Sequence, residues 1–134
     1  MKQTLLIITA VMLVVGFTSG QEPIDGSTLV YKDDLMYAPG SDKPYSGVAV
    51  WYHENGQKES ERTYKDGEYD GKWTEWHENG QKSVESTYKD DKRDGLYTVW
   101  NENGQKSYEV TYKDGEWISS KCWDEDGKET DCPW

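Results

Sequence analysis

The chain has little from which to build a dry core. Of its 134 residues only nineteen are Leu, Ile or Val, and eight of those fall within Met1 to Gly20. Its single phenylalanine, Phe17, lies in the same stretch. What remains after it has a thin aliphatic supply, which argues against a thick, closed interior. Positive charge is also scarce: 15 Lys and Arg face 26 Asp and Glu, a net −11. Nucleic acid and anionic lipid surfaces are bound chiefly through clustered Lys and Arg, so both are poor partners for this chain. Histidine is limited to His53 and His77. No Ser-His-Asp, Cys-His or phosphate-cradling glycine pattern is recognisable, and no motif calls for a cofactor.

The first twenty residues combine one early positive charge at Lys2, an apolar run from Leu5 to Val15 and small residues before Gln21. This pattern reads as a cleavable signal peptide over residues 1–20, and a secreted or periplasmic protein follows from it. The run is about half of the roughly 20 residues a membrane span requires, so stable membrane insertion after cleavage is not expected; a retained anchor is the competing reading. Losing Lys2 takes the net charge from −11 to −12. The only cysteines, Cys122 and Cys132, flank Asp126-Gly127, and in an exported chain they are expected to form a disulfide rather than remain free thiols.

What is abundant is repetition. Asn55-Gly56, Asn79-Gly80 and Asn103-Gly104 recur every 24 residues, as do Gly47, Gly71 and Gly95 and Tyr64, Tyr88 and Tyr112. Asn-Gly between strand-forming residues predicts a two-residue type I′ hairpin, because both central residues then need positive φ. Such a turn sets Gly47 opposite Tyr64, Gly71 opposite Tyr88 and Gly95 opposite Tyr112, each tyrosine ring covering a bare glycine. The expected fold is all-β: an elongated, single-sheet antiparallel meander of repeated hairpins. Residues 21–46 form an N-terminal cap with short strands at Leu29 to Tyr31 and Leu35 to Tyr37. Residues 47–117 hold three repeats, and residues 118–134 form a degenerate hairpin. That last turn comes after 23 residues instead of 24, and the simple register pairs Cys122 with Asp131, so a bulge or a bridge just beyond the ladder is expected.

Alternation along each strand sorts the side chains onto two faces. The greasier face carries Tyr64, Tyr88 and Tyr112 with Trp51, Trp73, Tyr97, Val84, Val99, Tyr108 and Val110. The wetter face carries a Tyr52, Trp76, Trp100 row, a Glu61, Glu85, Glu109 row and a Thr63, Thr87, Thr111 row. Trp and Tyr are enriched where partners bury surface, so the aromatic and glutamate rows are the candidate binding residues; the same rings also suit packing between neighbouring units. The glutamates form no pocket that would split their pKa values as acid catalysis requires, and no catalytic residue is assigned. His53 and His77 stand roughly 9 to 10 Å apart, two strands away from each other, with Asn101 in the third copy. Solvated strand-end histidines fit that better than metal ligands. The acidic connectors Asp66 to Asp70 and Asp90 to Asp94 lack the spacing of a helix-loop-helix calcium loop or of the glycine-rich aspartate nonapeptide; solvated turns are expected, with weak calcium binding the alternative.

The recurring order of glycine, aromatics, E-N-G-Q-K and T-Y-K-D-G resembles the MORN repeat, and more closely the bacterial variant labelled YwqK-family antitoxin, from about Leu29 to Glu129. The resemblance implies a hairpin array without a shared catalytic residue, used for protein contacts. The expected function is a non-enzymatic protein-interaction scaffold, exported and in the manner of an antitoxin or immunity protein. The alternative is a cell-wall or carbohydrate-binding module whose Trp and Tyr rings stack on sugars.

Overall fold

The computed structural model describes residues 21–134, so the signal peptide read at residues 1–20 lies outside it. The described residues are strands, turns and one short 3-10 turn at Gly26–Thr28. A two-residue strand, β1 (Ile24–Asp25), and a small separate hairpin of β2 (Val30–Lys32) and β3 (Leu35–Tyr37) form the N-terminal end. The repeats then supply β4 (Gly47–Tyr52), β5 (Lys58–Lys65), β6 (Glu68–Trp76), β7 (Lys82–Lys89), β8 (Lys92–Arg93), β9 (Gly95–Trp100) and β10 (Lys106–Lys113). The chain finishes with β11 (Glu116–Trp123) and β12 (Glu129–Thr130). Apart from the β2–β3 hairpin, these strands join one ten-stranded sheet that follows chain order from β4 onward. Every pairing is antiparallel except that of β1, which lies parallel to β4 with Ile24 beside Ala49. Two residues in a polar stretch gave no sequence signal for that strand.

The cross-strand register is the expected one, with Gly47 opposite Tyr64, Gly71 opposite Tyr88 and Gly95 opposite Tyr112. The turn that produces it differs. Asn55 does not adopt positive φ; only Gly56 does, at 84°. Gly56 N–H donates to the His53 carbonyl and His53 N–H to the Gln57 carbonyl, at 2.9 and 2.8 Å. This is a three-residue loop ending in a left-handed glycine, not a type I′ turn. The longer loop takes one extra residue from the leading strand, and a bulge at Glu59 takes one from the returning strand. The two shifts cancel before Trp51 meets Ser60.

The true type I′ geometry sits at the other edge. Asp66 and Gly67 have φ of 50° and 85°, and Asp90 and Asp91 have 47° and 61°. Each pair is a two-residue loop, closing Lys65 on Glu68 and Lys89 on Lys92. Asp91 stands where the neighbouring repeats have glycine, and its carboxylate accepts from the Tyr69 N–H at 2.6 Å. The nearest neighbours of Gly47 and Gly71 are not the opposite tyrosines. A Cβ at Gly47 would meet the Tyr45 hydroxyl at 2.7 Å and one at Gly71 would meet Thr63 at 3.2 Å.

Between repeats the ladder slips by two residues, from Tyr64–Tyr69 to Arg62–Trp73, and Gly71 at φ 113° sits in that slip. Between β10 and β11 only Ile118 is extra. One residue fewer in the bulge accounts for the 23-residue final spacing and for its missing glycine. The last loop, closed by Asp124 N–H to the Lys128 carbonyl, again has three residues, and it pairs Cys122 with Thr130 rather than Asp131. Cys132 lies just beyond the ladder, and it is bonded to Cys122 with a Cα separation of 5.3 Å.

The enclosed core is small and sits at the N-terminal end. Tyr45, Ala49 and Tyr64 are buried, with Ile24, Leu29, Met36, Ala38, Trp51 and Tyr69 packed against them. The cap therefore uses the scarce aliphatic residues to cover one end of the greasier face. Further along, the sheet is a single layer whose two faces are held by side-chain rows.

Candidate functional site

The wetter face brings the predicted rows together in an order the sequence reading missed. Lys58 lies opposite Tyr52, Lys82 opposite Trp76 and Lys106 opposite Trp100. Each lysine reaches over the ring of the next unit: Lys58 over Trp76 at 5.6 Å, Lys82 over Trp100 at 5.9 Å and Lys106 over Trp123 at 5.4 Å. The glutamate row holds these ammonium groups in place, through Lys58–Glu61 at 2.6 Å, Lys82–Glu85 at 2.6 Å and Lys106–Glu109 at 2.7 Å. The hydrogen bond from Lys82 keeps the Glu85 carboxyl below its ordinary range. Much of the expected acidic, aromatic contact surface is thus internally matched, as alternating aromatic and lysine side chains that tie each unit to the next. Tyr52 is the open end, 57% exposed.

The histidines are fasteners rather than free strand-end groups. His53 Nε2 donates to the Trp76 carbonyl at 2.8 Å, and His77 Nε2 to the Trp100 carbonyl at 2.9 Å. Beside them Asn55 donates to the Glu78 carbonyl and Asn79 to the Glu102 carbonyl, at 2.9 and 2.8 Å. In the third copy Asn103 turns inward to Gln105, so the series stops. Replacing His77 by alanine removes one such bond and is expected to lower stability by about 1 kcal/mol, read from the shift in urea midpoint. A change under a few tenths would show that the bond is not maintained in solution.

The greasier face carries a continuous strip of rings. Tyr45, Tyr64, Tyr69 and Tyr88 follow one another with centroids 5.0 to 6.0 Å apart. Arg62 lies between Trp51 and Trp73, 4.5 and 4.2 Å from their centroids, with Glu75 3.7 Å away. Toward the C-terminal half the strip opens into a shallow basin of about 450 Å³, lined by Arg93, Tyr97, Tyr108, Tyr112, Trp117 and Trp134 with Val110 at its floor. Arg93 stands over Tyr97 at 4.4 Å and Tyr112 at 5.4 Å, and its Nε donates to the Tyr88 hydroxyl at 3.1 Å. Trp117 and Trp134 form the rim, 58% and 68% exposed. Sequence reasoning put Tyr97, Tyr108, Val110 and Tyr112 on this face but did not single them out for contact. The signal was the break in the series Tyr45, Tyr69, Arg93, where the third repeat replaces a core ring with a cation.

Burial pushes the Tyr97 phenol up to about 12 from an ordinary 10.0, and raises those of Tyr64 and Tyr45 as well. A raised phenol keeps its proton longer folded than unfolded, so the stability it adds is complete below pH 10 and is lost as pH climbs through the folded value. Denaturant titrations are expected to show a decline between about pH 10 and 12, of at most roughly 1.4 kcal/mol per pH unit for each phenol and less because these rings are partly wet. A flat profile through this window would contradict the burial of these hydroxyls.

One layer of hairpins, joined edge to edge by repeating side-chain bonds, defines a β-hairpin repeat protein. More particularly, the chain contains MORN repeats: the family model described as the MORN repeat variant matches three consecutive segments, residues 45–66, 69–90 and 93–114. No curated protein and no solved structure gives a significant match to the chain.

Proposed function

We propose that the protein is an exported, non-enzymatic scaffold that binds another protein through the basin around Arg93. The observation that carries this reading is a concave cluster of Tyr and Trp around one cation, on a face whose other rows are already packed against each other. Large aromatic and arginine side chains at the centre of a patch are what dominate protein-binding energies. The chain's net charge of −11 favours a partner with a basic periphery. An immunity-like role, as in proteins labelled YwqK-family antitoxins, is the narrower form of this reading.

The test is capture of a protein from cell-envelope extract, compared with a Trp117→Ala, Trp134→Ala double variant. Both rings are more than half exposed, so the fold should survive. Loss of a specifically captured protein supports the proposal; capture that is unchanged in the variant, or no capture, contradicts it. The exposed flat rings of Trp117 and Trp134 also favour a second reading, a module that stacks on cell-wall glycan. Saturable binding to purified polysaccharide without protein would favour that one.

A further inference from the structure

The outer edge of the sheet at β11 is only partly closed. β12 pairs with Cys122 and Trp123 and with nothing before them. Glu116 to Lys121 are paired on one side, with β10, and have no strand on the other among the described residues. Trp117 and Ile118 there are 58% and 54% exposed. At the opposite end of the sheet, the edge strand β4 is covered by β1 at Ala49 and Val50. A run of unpaired N–H and C=O groups flanked by apolar side chains recruits another strand unless something blocks it.

We propose that this segment pairs antiparallel with the same segment of a second copy, forming a two-fold dimer with one continuous sheet. The six residues are self-complementary about the point between Ile118 and Ser119. In that register Glu116 meets the partner's Lys121, and Lys121 meets the partner's Glu116. Trp117 meets the partner's Ser120, and Ile118 meets the partner's Ser119. The faces agree as well. Glu116 shares a face with Lys121, because they lie opposite Lys113 and Glu109, and Trp117 shares the other with Ser120, because they lie opposite Tyr112 and Val110. The single-residue bulge at Ile118 is what allows this, since without it Glu116 and Lys121 would point to opposite sides. Moving the register by one residue either way sets side chains from opposite faces against each other and separates the charges. Lys121 also lies 3.8 Å from Glu129, but both side chains are about 60% exposed and that pair holds it weakly. The two-fold arrangement brings the two Arg93 basins side by side on one face.

The experiment is sedimentation across a concentration series, with the disulfide intact, on the wild type and three charge variants. The wild type is expected to dimerise. Glu116→Lys and Lys121→Glu each place like charges opposite one another twice per dimer, which should weaken association by about tenfold or more. The double variant, Glu116→Lys with Lys121→Glu, restores opposite charges and should recover dimerisation. Both positions are exposed, so circular dichroism should report an unchanged fold in all three. A wild type that stays monomeric across the series overturns the proposal. So does a dimer that is indifferent to the single reversals, or one that the double variant fails to restore. Trp117 and Trp134 remain unaltered, so this result is independent of whether the basin binds another protein.

Discussion

Replacing Tyr64 by alanine is expected to cost about 3 to 5 kcal/mol, the range for deleting a buried aromatic ring. Tyr64 is 3% exposed and is the hinge of the small N-terminal core. Its ring stands 6.0 Å from Tyr45 and 5.0 Å from Tyr69, so its loss separates the cap from the first repeat. Domains of this size commonly have only about 5 to 15 kcal/mol in total, and this one has few other buried side chains to absorb the deficit. The variant should unfold at a much lower denaturant concentration. Tyr64→Phe makes the control, because the hydroxyl is buried with no hydrogen-bond partner among the described residues. Removing an unpartnered buried hydroxyl should be neutral or stabilising by up to about 1 kcal/mol. If phenylalanine proves as damaging as alanine, the hydroxyl has a partner and the account of this core is wrong.

The second large effect concerns the other end. Cys132→Ser, which breaks the bond to Cys122 across a sequence separation of 10, is expected to cost about 2 to 3 kcal/mol. The cross-link does more than shorten a loop. β12 is only two residues long, and the segment it anchors carries Trp134, whose ring meets Tyr108 edge-on at 5.4 Å. Release should therefore loosen the basin rim before the repeats themselves unfold. Hydrogen exchange should show faster opening confined to β11 and β12, with β5 to β7 unaffected. Uniform acceleration along the sheet would mean that the disulfide supports the whole array rather than its end.

Much of the fold is written in the period of the sequence. Glycine, tyrosine and Asn-Gly in phase fix hairpins in register, and alternation separates the Tyr64, Tyr88, Tyr112 row from the Glu61, Glu85, Glu109 row. Turn type was not legible from Asn-Gly alone, because a three-residue loop with a bulge yields the same register as a two-residue turn without one. The geometry that needs two positive φ values settled instead on Asp66-Gly67 and on Asp90-Asp91, where a carboxylate bonded to Tyr69 N–H helps hold an otherwise unfavourable conformation. For the candidate site, the sequence showed the Tyr52, Trp76, Trp100 row but not the lysines over Trp76 and Trp100, because only the bulge turns Lys58 and Lys82 onto the same face. The Arg93 basin was invisible for a different reason. It arises where the repeats diverge, whereas a repeat is recognised by where its copies agree.

All of these features depend on successive hairpins sharing one sheet. Pairs such as Arg62 with Trp73 and Val84 with Val99 join different repeats, whereas Gly71 with Tyr88 lies within one. Nuclear Overhauser contacts across these pairs test the arrangement directly. Contacts for both the inter-repeat and the intra-repeat pairs are the predicted result; contacts within hairpins but none between them would show independent ribbons, with no aligned rows and no basin.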